Sequence, residues 1–301
     1  MTDLIVVGSL NLDLVAEVGR LPRRGETLLA DGHSRALGGK GANQAVSAVR
    51  HGVGVAMIGC VGADPEGRRL TDALADEGID VSGVRVRDDV PTGTAHITVD
   101  PDGANTIVVI PGANGALTAA DVRRELGRRP APDVILVQLE IPLEAVLAAV
   151  AAPAARVVVN PAPARPLPSE LLRHVDVLVP NVPELGALTG GDEPRTVEDI
   201  TARARSLADG LAVVVTMGES GALVVDGGQV THVPAPRVDA VDTTGAGDAF
   251  CGSLAAGLAA GSSLVEATRD AVQVGSRSTL RRGALEAFPT ADEIGGLLGV
   301  S

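Results

Sequence analysis

The stretch Asp242-Thr243-Thr244-Gly245-Ala246-Gly247-Asp248-Ala249-Phe250 carries the densest chemistry of the chain. It reads as a loop that opens a helix. Gly245 and Gly247 remove side chains where something bulky must approach the backbone. The following helix offers unpaired N–H groups and the positive end of its dipole, a ready site for a phosphate. Asp248 sets a carboxylate beside that site. An acid next to an anion pocket is out of place in mere binding. It suits a site where the acid takes a proton while a phosphoryl group moves.

Four other clusters could contribute. Asn11 and Asp13 follow an early apolar run and point the same way in an alternating stretch. A carboxylate that accepts and an amide that does both make a clamp for adjacent hydroxyls, although Asn and Asp are also turn residues. Gly38-Gly39-Lys40-Gly41-Ala42-Asn43-Gln44-Ala45 enters a helix, with Lys40 and Asn43 on one edge of its first turn. It is not a Walker A loop, because Ser34 stands at the first glycine position and Gly41 follows the lysine. Its glycines would let a ligand touch backbone. Glu140 ends the run Val134–Val137, where α/β sheets hold ligands. A surface residue at a strand exit is the alternative. Asn181 and Glu184, three apart, could hold a hydrated Mg²⁺ or form an N-cap with a capping glutamate. Thr216-Met217-Gly218-Glu219-Ser220-Gly221 joins two strands, as a plain turn or as a border to a nucleotide.

Elements must position these groups. Leu4–Val7, Val53–Ile58, Val134–Val137, Val157–Val159, Val175–Val179, Val213–Val215 and Ala222–Val225 are apolar runs without alternation. Strands buried on both faces look like this. Helical patterns lie between many of them, at Ala42–Arg50, Gly67–Glu77, Leu143–Val150, Val197–Ala208 and Asp248–Ala260. The alternation predicts an α/β fold with a doubly wound, mainly parallel sheet flanked by helices. Thr92–Asp100 and Ala104–Ile110 alternate instead, around the turn Asp100-Pro101-Asp102-Gly103. With residues 11–30 they are expected to form a small β-sheet lid (about 11–30 and 91–110), or else a hairpin extending the main sheet. No linker separates equal halves, so residues 1–301 are read as one domain.

Composition narrows the partners. Aromatics make up 1%, with no Trp or Tyr, which argues against single-strand nucleic-acid binding. The formal net charge of −13 disfavours nucleic acid and anionic membrane. Cys60 and Cys251 are far apart and flanked by small or apolar residues, as buried free thiols in a reducing cytosol would be. The opening Met-Thr-Asp-Leu-Ile-Val-Val-Gly lacks a basic region and a long apolar run, so no signal peptide is expected. No stretch is pure enough to span a bilayer, and a cytoplasmic protein is expected.

On these motifs the chain resembles the ribokinase-like (pfkB) carbohydrate kinases, almost end to end. Gly8-Ser9-Leu10-Asn11-Leu12-Asp13 and the Lys40 motif look like the sugar-binding signature, and Asn160-Pro161-Ala162-Pro163-Ala164, Asn181–Glu184 and Asp242–Asp248 follow in the family's order. The resemblance implies that Asn11, Asp13, Gly39, Lys40, Asn43 and Glu140 hold sugar hydroxyls. Asp248 would be the base for the primary hydroxyl, with the amides of Gly245, Ala246 and Gly247 as anion hole. Asn181, Thr216, Gly218, Glu219, Gly221 and Gly247 would border ATP, and Glu184 would help place Mg²⁺. A K⁺ site is implied at Asp242 and the carbonyls of Thr244, Ser278, Arg281 and Gly283. There the chain departs from the family, with Ala287 where a Ser is common. A homodimer formed through the lids is also implied.

The reaction expected is phosphoryl transfer from MgATP to the 5-hydroxyl of D-ribose. Asp is a weak base, with a reference pKa of about 3.9, but a loose transition state lets it take the proton late. Deoxyribose, ketohexoses and nucleosides stay open as substrates. The scarcity of aromatics for stacking a base disfavours nucleosides. A non-catalytic sugar sensor would be expected to have lost Asp248 or its glycines. A dinucleotide oxidoreductase would need G-x-G-x-x-G after the first strand, where Gly8-Ser9-Leu10-Asn11 does not fit.

Overall fold

A computed structural model describes residues 2–101 and 103–299. Its strands are β1 (Leu4–Val7), β2 (Asn11–Glu17), β3 (Gly32–Gly38), β4 (Val55–Gly62), β5 (Asp80–Arg87), β6 (Gly93–Val99), β7 (Asn105–Ile110), β8 (Val134–Gln138), β9 (Arg156–Asn160), β10 (Val177–Leu178), β11 (Ala212–Thr216), β12 (Ala222–Asp226) and β13 (Gln229–Val233). Among the described residues they form two sheets. The larger runs β13-β12-β11-β10-β9-β8-β1-β4-β5 and the smaller β3-β2-β6-β7.

The large sheet is parallel from β5 to β11, and β12 and β13 add an antiparallel edge. Its two-sided burial explains the unbroken apolar runs. Leu4 and Val6 of β1 belong to one core, with helices Lys40–Val49, Ala246–Ala259 and Leu264–Ser278. Ile5 and Val7 belong to the other, with helices Ala119–Gly127, Leu143–Val150 and Val197–Ser206. Each of the seven apolar runs holds a strand, with shifted ends at some. The fourth strand is Val55–Gly62, and Val175–Val179 shrinks to Val177–Leu178, the Val175 amide being turned back onto the Leu172 carbonyl.

The second sheet is the expected lid. β2 pairs with β6 in parallel and β6 with β7 antiparallel. The alternative, a hairpin extending the main sheet, is set aside, since β6 and β7 pair only within the small sheet. Residues 20–30 hold no strand, and the lid is completed by β3 beyond them. Asp102 of the expected turn lies outside the described residues. No helix of the described residues is long and apolar enough to cross a membrane.

Candidate active site

The carboxyl ends of the parallel strands converge. β1 leads to Gly8-Ser9, β8 to Glu140, β9 ends in Asn160, β10 leads to Asn181, and β11 ends in Thr216. Lys40, Asn160, Asn181, Glu184, Thr216, Gly247, Asp248 and Cys251 line one cleft there. A second hollow lies on the lid, lined by residues such as Leu14, Val15, His33, Arg35 and His96. It has neither a carboxylate nor a glycine-rich turn.

Asp248 sits in the first turn of the helix Ala246–Ala259 and is buried. Gly245, the cap, is left-handed at φ 73° and offers no side chain to the helix end. The amides of Gly245 and Gly247 have no acceptor among the described residues. The Ala246 amide, expected as a third anion-hole donor, instead closes the turn onto the Thr243 carbonyl at 3.2 Å. Both Asp248 oxygens are held: Asn43 Nδ2 donates to Oδ2 and Gln44 Nε2 to Oδ1, each at 2.9 Å. Gln44 also donates to Asn160 Oδ1 at 3.2 Å and accepts from Gln138 Nε2 at 2.7 Å. Asn160 in turn donates to the Val179 carbonyl. The base therefore hangs from a chain of buried amides. Asn43 Oδ1 is buried with no partner among the described residues, an acceptor left for a hydroxyl.

Lys40 opens the helix Lys40–Val49 after Gly39 at φ 91°. A side chain at Gly39 would stand 2.7 Å from the Asn11 nitrogen and 2.8 Å from the Ser9 carbonyl. Gly39 and Gly41 therefore let backbone pack on backbone, and a side chain at Gly38 would collide with the Asp13 carboxylate. Gly221 is alike, since a Cβ there would collide with the Val233 carbonyl, whereas Gly218 is open. Glu140 accepts from Ser9 Oγ at 2.5 Å and from the Lys40 amide at 3.4 Å. Asp248, ahead of the opposing effect of burial, and then Glu140 and Glu184 raise the Lys40 pKa. Burial first, then the negative charges of Glu140, Asp248 and Glu286, push Asp13 up to about 7.

Asn181 and Glu184 form a full capping box, with Glu184 N–H to Asn181 Oδ1 at 2.7 Å and Asn181 N–H to Glu184 Oε2 at 2.9 Å. Both still line the cleft. Burial raises the Glu184 pKa, against the Asn181 amide and Lys40. Among the described residues no cluster of three or more His, Cys, Asp or Glu could hold a metal. Asp242 accepts from the amides of Thr244 and Gly283, each at 2.9 Å, and the Val241 and Asp242 amides donate to the Thr279 carbonyl. Burial would raise the Asp242 pKa, but these amides hold it below the usual carboxylate range. Segment 241–244 thus lies against 278–283. The Arg281 guanidinium pairs with Glu293, and Ala287 is buried. Glu219 is exposed.

Both cysteines are free and buried, and Cys251 lines the cleft. Gln44, Asn160, Ser9 and Glu286 were assigned no role from sequence. Ser9, Gln44 and Asn160 stand inside motifs quoted above, and that was the visible signal.

The family model of the pfkB family carbohydrate kinases matches residues 1–291. The chain is 38% identical to a ribokinase of Haemophilus influenzae, over 96% of each chain. It is 37% identical to a deoxyribokinase of Salmonella typhi, over 99% of each. Its fold is similar to that of Arabidopsis thaliana ribokinase complexed with ribose and ATP, with a TM-score of 0.88, 31% identity and full coverage of both chains.

Proposed function

The chain belongs to the pfkB family of carbohydrate kinases, a phosphotransferase with an alcohol acceptor, and from that premise we propose that it phosphorylates the 5-hydroxyl of D-ribose with ATP. The observation that carries this reading is Asp248, buried, anchored through both oxygens and set in the uncapped first turn of a helix. The sugar would lie between the lid and the Lys40 turn. Asn11, Asp13, Asn43 and Glu140 would hold its hydroxyls, with the backbone of Gly39 and the charge of Lys40 beside them. Deoxyribose is the second reading, favoured by the similarity to a deoxyribokinase.

In the reaction, Asp248 orients the hydroxyl and receives its proton late, as a loose transition state permits. The free amides of Gly245 and Gly247 face the charge that develops on the transferred phosphoryl oxygens. Lys40 adds a fixed positive charge. Asn181, Thr216, Gly218, Glu219 and Gly221 would border the nucleotide, of which Gly221 acts by shaping the turn.

Mg²⁺ fits here as an ion held mostly by water and phosphates, because Glu184 belongs to no cluster of three or more candidate ligands among the described residues and its Oε2 accepts from the Asn181 amide. Bound, it would neutralise phosphate charge. K⁺ would sit at Asp242 and the carbonyls of Thr244, Ser278, Arg281 and Gly283, on segments that already lie together. Ala287 brings no side-chain oxygen to it. A homodimer through the lids would cover Ile107, Val108 and Ile110 of edge strand β7, which are 53%, 63% and 49% exposed.

Asp248→Ala tests the reading. Turnover should fall by about 10² to 10⁴, the usual contribution of a general base, with sugar still bound. Near-normal turnover would remove Asp248 from the mechanism.

A further inference from the structure

We propose that Asn114 is a positioning residue that fixes which end of the Asn11 amide faces the sugar, and that it does so from the root of the lid. The proposal rests on the sugar-kinase reading above. Asn114 belongs to none of the motifs. It lies in the turn Gly112–Ala116 directly after β7 and is 1% exposed.

The backbone settles its orientation. The Leu10 amide donates to Asn114 Oδ1 at 2.9 Å, and Asn114 Nδ2 donates to the Leu10 carbonyl at 3.0 Å. Turning the amide over would set donor against donor and acceptor against acceptor, both buried. Nδ2 is thereby fixed as a donor, and it also reaches Asn11 Oδ1 at 2.7 Å. The Asn11 oxygen is spent, and its Nδ2 is the end left for a ligand.

That has a chemical consequence. Asn11 and Asp13 lie two apart in β2, on one face. The clamp they form is one fixed donor beside one carboxylate. The hydroxyl on Asn11 must accept, and its neighbour on Asp13 must donate. Asn alone could have served either way.

The same contact joins the strands that root the lid. Asn11 begins β2, Gly93 begins β6 opposite it, and Asn114 follows β7. A side chain at Gly93 would collide with both Asn114 Nδ2 and Asn11 Oδ1. Recognition of the sugar and seating of the lid thus share one anchor.

The test uses the sugar that the wild-type enzyme turns over. Asn114→Asp puts an oxygen against Asn11 Oδ1 and should turn the Asn11 amide round, presenting its oxygen to the sugar. The sugar KM should rise about tenfold or more, the effect of one lost hydrogen bond to a buried group, while the ATP KM stays within about twofold. Asn11→Ala should do the same, and the double variant should be no worse than the single ones. Additive losses, or a folded Asn114→Asp enzyme with an unchanged sugar KM, would overturn the proposal. Should that variant not fold, Asn11→Asp decides. It keeps an oxygen toward Asn114 and replaces the donor toward the sugar with a second oxygen, adding an acid beside Asp13. The expected result is a Tm within about 2 °C of wild type and a raised sugar KM. A fallen Tm with an unchanged KM would mean the amide faces the other way. If no sugar is turned over at all, the kinase reading fails. The Tm of Asn11→Asp still reports the amide's orientation in that case.

Discussion

Sugar binding should weaken as pH falls, through Asp13 alone. Asp13 is held at about 7 by burial and by the surrounding carboxylates Glu140, Asp248 and Glu286. As a clamp for hydroxyl protons it must be ionised. The apparent sugar Kd then scales as 1 + 10^(pKa − pH). With a pKa of about 7 this gives a loss of about 11-fold at pH 6 and about twofold at pH 7, relative to the alkaline limit. An ordinary aspartate, near 3.9, would give no dependence in that range. The assay is calorimetric titration of sugar without nucleotide between about pH 5.5 and 8.5. Asp13→Asn should bind more weakly but without the slope. A flat profile in the wild type, or an equal slope in Asp13→Asn, would refute the reasoning. The same shift has a stability sign. The folded value lies above the unfolded one, so the stabilisation from Asp13 is complete below about pH 4 and is lost as pH rises through about 7. Water at the open cleft limits this to on the order of 2 kcal/mol.

Two further outcomes follow. Gln44→Leu strips one anchor from Asp248 and leaves Gln138 Nε2 and Asn160 Oδ1 buried without Gln44. Stability should fall by about 1–3 kcal/mol for each unpaired group, read by urea unfolding, and kcat by up to about 10²-fold. Unchanged kcat in the folded variant would show that Asn43 holds the base alone. Val108→Lys charges the most exposed of the apolar side chains of β7 and should convert a lid-paired dimer to monomer by sedimentation; a dimer that persists would place the interface elsewhere.

Much of this was legible in the sequence, and the misses have physical causes. Runs such as Leu4–Val7 and Val134–Val137 stand out because both faces of their strands are buried. β5 and β3 escape because each lies at a sheet edge and is only partly buried, so that Arg85, Arg87, His33 and Arg35 interrupt the apolar signal. The helix Val182–Thr189 was hidden behind its own cap, since Asn181 and Glu184 read equally as cap or metal site and the structure contains the cap. Asp248 announced itself through its glycines. Of its anchors, Asn43 stood out in the Lys40 motif, but as a sugar ligand, and Gln44 stood beside it without a role. Gln44 lies 204 residues away in the chain and Asn114 lies 104 from Leu10. A lone buried amide has no periodicity, and its partners exist only once the strands are ordered.

The central claim is that Asp248 and the Lys40 turn together make a ribose kinase. The most direct measurement is ADP release from MgATP with D-ribose, 2-deoxyribose, fructose and adenosine in parallel, each in KCl and in NaCl. The account predicts the fastest turnover on ribose, higher in KCl than in NaCl. Turnover on adenosine and not on ribose would contradict the sugar pocket built from Asn11, Asp13, Lys40 and Asn43, while leaving the chemistry of Asp248 in place.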